Sequence, residues 1–326
     1  MPESDNPRRL AVALPDHQAQ SNMHCVHCQL IEGADFMQLV EHNSAQAFLD
    51  FLRPSSERWW NPVTGRQSHV FRGHADASWK LQPKGWRPFG ANPEVEALYR
   101  AVRWSLTGSK TAGEVTHSDM ARLWRFTLAE AAIQFASLGR SVGLEIPWQV
   151  ENSLIASPRQ DVPFIDLSLL ALAQHHGVPT QLLDWSDDPL TSAFFAVDDP
   201  ELPTDLCVWA LEIEKVPSGK TTNYRLKMAP NIGNANIRAQ SGLFLAFDQG
   251  PHLDTLFDGQ WPSFESEELL SAALIQVRLP ASERPTLHEL LLRENRSKAH
   301  LMPSWDNVAE TVRIEWATGL LWGSSQ

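Results

Sequence analysis

The chain has 326 residues, 43% of them hydrophobic, and a formal net charge of −12. That acidic balance excludes a protein that coats nucleic acid through bulk positive charge, which needs clustered Lys and Arg, while leaving a local basic groove open. No run of about 18 apolar residues and no basic stretch followed by an apolar one occurs, so neither a membrane span nor a signal peptide is expected, and the expected location is the cytoplasm.

Residues 1–35 mix Pro, Asn, Gln, Ser and His without a sustained period and read as a flexible N-terminal segment. Residues 36–326 then read as a single elaborated domain. Cys25 and Cys28 have metal-like spacing, but a structural zinc site needs four ligands and no second Cys-x-x-Cys follows, so reduced thiols and no metal are expected. Cys207 brings the cysteines to three, which do not make a disulfide framework and agree with a reducing compartment.

Ser44 to Leu52 predicts a short helix with Ala45, Phe48, Leu49 and Leu52 inward, and Trp59 to Gly65 turns the chain. Ser68 to Gly73 predicts a strand ending at the glycine, with Val70 and Arg72 on one face and Phe71 on the other. Glu94 to Leu106 and Ser118 to Leu138 carry apolar residues at helical spacing and read as a helical insert. Asp166 reads as the N-cap of a helix over Leu167 to His176, which Gly177 and Pro179 end. Thr180 to Trp185 reads as a short buried strand, and Asp188-Pro189 as the cap and first residue of a helix through Val197. Leu206 to Ile213 alternates as a strand, and Ile237 to Phe247 and Ala273 to Leu279 are strand-like. Thr286 with Glu289 forms a capping-box signature for a helix over Leu287 to Arg293.

Gln174 to Leu190 is the stretch densest in chemistry, with His175, His176, Asp184, Trp185 and Ser186 between two helix boundaries. A strand that ends just before a helix start sets its last side chains beside unpaired backbone N–H groups, where the helix dipole favours an anion or phosphate. Asp184, Trp185 and Ser186 are expected at that mouth. Arg72, near a strand end, is expected to meet an anion or a carboxylate. Plain structural readings stand beside these: a salt bridge for Arg72, helix-dipole compensation for the histidines, backbone or arginine pairing for Asp184, and the core for Trp185.

Two signatures carry a resemblance to a known family. Phe71-Arg72-Gly73, followed by Trp79, Leu81 and Pro83, and the run from His175 to Trp185 resemble the FRG domain. Ile237 to Phe244 is similar to that family's later Arg and Gln-x-Gly-x-Phe element, and Leu301-Met302-Pro303 with Val308-Ala309 fit its end, so the resemblance covers roughly 36–316. Gln181 stands where the family usually has arginine. More remotely, the order of Phe71-Arg72-Gly73, then Asp184-Trp185-Ser186 with Ala193 to Ala196, then Gln240-Ser241-Gly242-Leu243 resembles ADP-ribosyltransferases of the arginine, serine, glutamate type.

The resemblance implies an α+β fold: a split, mostly antiparallel sheet around a cleft, ADP-ribosyltransferase-like, with the helical insert and a helical C-terminal part. It implies NAD as substrate, a nucleotide or dinucleotide ligand, a macromolecular acceptor of unknown identity, and a role like those of bacterial toxins or anti-phage effectors. Neither a membrane nor, by charge, nucleic acid is implied as a partner. Arg72, Gly73, Trp185 and Ser186 are the expected cofactor-binding residues, with Arg72 on the phosphates and Trp185 as a wall for nicotinamide. Asp184, His175, His176 and Gln240 are the expected catalytic residues. Cleaving the nicotinamide bond passes through an oxocarbenium-like state that calls for a carboxylate near the ribose. Gln240 replaces the glutamate of the third element and cannot carry that charge, so either Asp184 supplies it or catalysis is absent. The other readings are a hydrolase or nuclease with His175 or His176 as general base oriented by Asp184, and a non-catalytic module recognising a nucleotide or a partner.

Overall fold

In a computed structural model the described residues are 37–87, 93, 96–100, 117–146, 167–198, 202–216, 224–228, 242–247, 263–266 and 268–318. Their principal elements are β1 (Gln38–Glu41), α1 (Ala45–Leu52), β2 (His69–His74), α2 (His117–Ser141), α3 (Leu167–His175), β3 (Leu182–Ser186), α4 (Pro189–Val197), β4 (Leu206–Glu212), β5 (Tyr224–Lys227), β6 (Gly242–Phe247), β7 (Leu274–Leu279), α5 (Arg284–Arg293) and α6 (Trp305–Thr318).

Local signals place most of these boundaries. The Ser44 hydroxyl accepts from the Ala47 N–H to cap α1, and Ala45, Phe48, Leu49 and Leu52 are all buried. Gly177 ends the α3 turn with φ of 83°, a left-handed conformation that suits glycine. The Asp188 carboxylate accepts from the Leu190 N–H to cap α4, whose first turn holds Pro189. Within Glu94 to Leu106, residues 96–100 are described and helical.

The strands form one seven-stranded open sheet in the order β1-β7-β4-β2-β3-β6-β5, antiparallel except for the parallel β1–β7 pair. The fold is therefore α+β with a mostly antiparallel sheet. β2 runs one residue past Gly73 to His74 rather than ending at the glycine. β4 is buried on both faces, because it lies between β7 and β2 with side chains packed above and below, and so departs from the half-exposed strand that alternation implies. On one face Val70, Trp185, Trp209 and Leu211 pack with Trp86 and Trp124; on the other Phe71, Val208 and Ala210 meet Phe48 of α1, Phe194 of α4 and Leu287 of α5. A third cluster joins α2 and α3 to Leu182, Phe244 and Ala246 of β3 and β6.

Two local expectations change. The Thr286/Glu289 capping box does not begin α5, which starts earlier at Arg284 with Pro285 in its first turn, leaving Thr286 inside the helix. The sheet is not divided into two: β2 and β3 stay joined, but at the single pair Phe71 opposite Ser186. From that pair they part toward His74 and Leu182, and this opening positions the candidate site.

Candidate functional site

Period-2 alternation sends Val70, Arg72 and His74 to one face of β2 and Phe71 and Gly73 to the other. Gly73 lies under α4: a Cβ there would stand 1.9 Å from the Ser192 carbonyl oxygen, so the glycine is required by the approach of a helix to a strand. It contributes a close-packed wall.

Where β2 and β3 part, the Arg72 side chain takes over the bridging. Its Nη1 donates to the Asp184 backbone carbonyl at 2.7 Å and lies 3.6 Å from the Asp184 carboxylate. Its Nε donates to His74 Nε2 at 3.1 Å, which fixes that ring's proton on Nδ1. Burial pulls the Arg72 pKa below its usual value, and the charge of Asp184 opposes that shift. His74 falls well below its ordinary value of 6.5, through burial first and the Arg72 charge second, so its ring is neutral at neutral pH.

Asp184 is the exposed residue in a strand otherwise buried, with its side chain 58% accessible. One carboxylate oxygen accepts from Gln174 Nε2 at 2.6 Å; the Gln174 carbonyl oxygen in turn accepts from the Thr180 hydroxyl, and that hydroxyl accepts from the Leu182 N–H. A short polar chain from the end of α3 thus orients a carboxylate that faces solvent, with a guanidinium beside it.

His175 and His176 follow at the end of α3, their rings 5.1 Å apart at 77°. His175 is lowered below its ordinary value by burial and by its neighbour His176, with Asp184 pulling the other way. His176 is exposed and stacks on Phe135 of α2 at 5.6 Å.

The expected residues separate. Arg72, Asp184 and His175 come together at the opening, while Trp185 is 2% exposed and packs in the core with Leu183 and Trp209. Ser186 is buried, and its hydroxyl accepts from the Asp188 N–H. The anion expected at the start of α4 is the chain's own Asp188, which caps the helix and pairs with Arg296 at 2.7 Å. Gln240, Cys25 and Cys28 lie outside the described residues. Among the described residues no group of three or more His, Cys, Asp or Glu could hold a metal ion, and no helix is long and apolar enough to cross a membrane.

Three residues of the network escaped the sequence reading. His74 follows Arg72 by two and so shares its face of the strand, a signal that alternation contains. Gln174 and Thr180 flank the helix end and become partners only through the turn at Gly177.

A family model described as FRG domain matches residues 143–204, the segment that includes α3, β3 and α4. No curated protein and no solved structure matches the chain. The chain thus carries an FRG domain, and the matched segment supplies Gln174, His175 and Asp184 to the opening.

Proposed function

We propose that the opening between β2 and β3 binds NAD and that the protein is an ADP-ribosyltransferase-like enzyme. The observation that carries this reading is Asp184, a carboxylate held open to solvent by Gln174 and Arg72 in the middle of a buried strand. Breaking the bond between the ribose C1′ and the nicotinamide nitrogen sends the bond pair to neutral nicotinamide and leaves an oxocarbenium-like ribose, which a nearby carboxylate stabilises. Water or a group on a macromolecular acceptor then adds to C1′ and loses its proton. Arg72 serves the phosphates with the donors that its ties to Asp184 and His74 leave over. The order of the Arg-Gly, Asp-Trp-Ser and Gln-Ser-Gly motifs along the chain supports the same reading.

The test is nicotinamide release from labelled NAD, with folding of each variant checked by its melting transition. Asp184→Asn keeps the shape and the Gln174 contact but removes the charge, and is expected to lose about 100-fold or more in turnover. A wild-type protein that shows neither an NAD-dependent thermal shift nor nicotinamide release overturns the proposal.

His175 favours a second reading. Its lowered pKa leaves a neutral imidazole near a carboxylate, the form a general base needs in a hydrolase. Turnover of ester or phosphodiester substrates without NAD, lost in His175→Gln, selects that reading.

A further inference from the structure

We infer that Arg87 and Trp79 extend the opening into a subsite for a nucleoside diphosphate group, with the Arg72 and Arg87 guanidiniums taking the two phosphates and the Trp79 indole the base. This rests on the reading of the opening as a nucleotide site and names the part of the ligand held away from the reacting bond.

The first observation is placement. A helical turn over Lys84–Trp86 leads directly into Arg87, and this segment is tied to the turn that precedes β3. The Gly85 N–H donates to the Thr180 carbonyl at 2.9 Å and the Lys84 ammonium to the Gly177 carbonyl at 2.9 Å. Those carbonyls belong to the turn between α3 and β3, the turn that also carries the Thr180 hydroxyl of the Asp184 network.

The second observation is charge. Arg72 has Asp184 beside it, whereas the half-buried Arg87 guanidinium has no hydrogen-bond or ion-pair partner among the described residues. Arg87 lies close enough that its charge disfavours protonation of both Arg72 and His74. Two guanidiniums brought together with one carboxylate, in a chain of net charge −12, form a local excess of positive charge that a dianion neutralises.

The third is an excess of donors. Trp209 stands directly across from Arg72 in the β2–β4 ladder, and Trp185 lies on the same face of β3. Both indole N–H groups are buried without an acceptor among the described residues. The Arg72 face of the sheet thus carries buried donors that no acceptor among the described residues takes up.

The last is a stacking surface. Trp79 is 50% exposed, and its ring lies 6.1 Å from that of His74, which Arg72 holds. An exposed indole next to a phosphate-binding arginine is suited to the face of a nucleobase.

Calorimetric titration with ADP, AMP and adenosine tests the inference. The wild type is expected to bind ADP more tightly than AMP and AMP more tightly than adenosine. Arg87→Gln is expected to weaken ADP by about tenfold or more with little effect on adenosine, and Arg87→Lys to recover part of the loss. Trp79→Ala is expected to weaken all three, with loss of the ligand-induced change in tryptophan fluorescence. Wild-type protein that does not bind ADP, or variants that melt like the wild type and bind ADP as tightly, overturn it. ADP binding that depends on Arg87 and Trp79 without NAD cleavage retains this subsite and removes the transferase reading. NAD cleavage insensitive to both substitutions does the reverse.

Discussion

Arg72 and Asp184 start from opposite faces of the sheet and meet in the gap where β2 and β3 separate, the guanidinium Nη1 lying 2.7 Å from the aspartate's backbone carbonyl and 3.6 Å from its carboxylate. Two strands that share one pair lack further ladder bonds along the opening, and the arginine supplies a donor in their place. One side chain therefore holds the gap together and presents the charge that the gap contains. Structure and chemistry at this position are inseparable, so variants at Asp184 read function more cleanly than variants at Arg72.

Gly73→Ala is expected to destabilise the protein by about 3 kcal/mol or more, the upper range for inserting atoms into a packed interior. The new Cβ meets the Ser192 carbonyl oxygen at 1.9 Å and the Ala196 nitrogen at 2.8 Å, both backbone atoms of α4 that no rotamer change moves. Urea unfolding followed by tryptophan fluorescence measures the loss; a midpoint unchanged from wild type contradicts this account of the glycine.

Arg284 is fully buried and donates to the carbonyls of Thr204, Ala196 and Ala75, so it joins the ends of α4 and β2 to the start of α5. Arg284→Met keeps much of the volume and removes all three donors. A stability loss of about 3 kcal/mol is expected, because the Ala196 and Thr204 carbonyls lose these donors, while the Ala75 carbonyl keeps the Thr204 hydroxyl. Thermal melting at fixed pH measures it.

Stability is expected to fall as pH drops below about 6.5, the ordinary histidine value that applies to the unfolded chain. His74 is depressed in the folded state, so below that pH the unfolded state binds the extra proton and is favoured. The contribution is fully present above pH 6.5 and is lost as pH falls toward the folded value. His42, His69, His175 and His288 are also depressed, with burial the largest cause in each, and act in the same direction. His74→Gln is expected to flatten the slope between pH 7 and pH 5 in denaturant titrations; an unchanged slope places the proton elsewhere.

Cys207 is fully buried in β4 and its thiol is pushed up to about 12, mainly by burial. In a Cys25→Ser, Cys28→Ser background it is expected to resist alkylation at pH 8 and to react once urea unfolds the sheet. Rapid labelling without denaturant indicates that the centre of the sheet opens readily.

The sequence made the end of α3 and the start of α4 legible because each has a local physical cause, the left-handed turn at Gly177 and the Asp188 cap with the proline after it. By contrast, β3 starts at Leu182 and runs to Ser186 instead of spanning Thr180 to Trp185, and Asp166 lies outside the described residues. The inward face of α1 was equally readable from spacing. What sequence could not supply was the neighbour of each strand. β4 alternates in composition yet is covered on both faces, a property of its central place between β7 and β2. The site was legible in its charged members and illegible in its supports. Arg72 and Asp184 carry the chemistry in their residue types, whereas Gln174 and Thr180 matter through a contact made across a turn, and Arg87 through the way the chain folds back toward Arg72 and His74 of β2.

The parallel pairing of β1 with β7 has a consequence for how the chain is made. Among the described strands, the one that leaves the ribosome first finds its partner in the one that leaves last, and the Ala45 N–H at the start of α1 waits for the Glu283 carboxylate in the same way. A chain whose synthesis stalls before residue 274 therefore holds β4 with one edge unpaired and β1 with no place to dock, which makes it a substrate for chaperones and proteases until the last strand arrives.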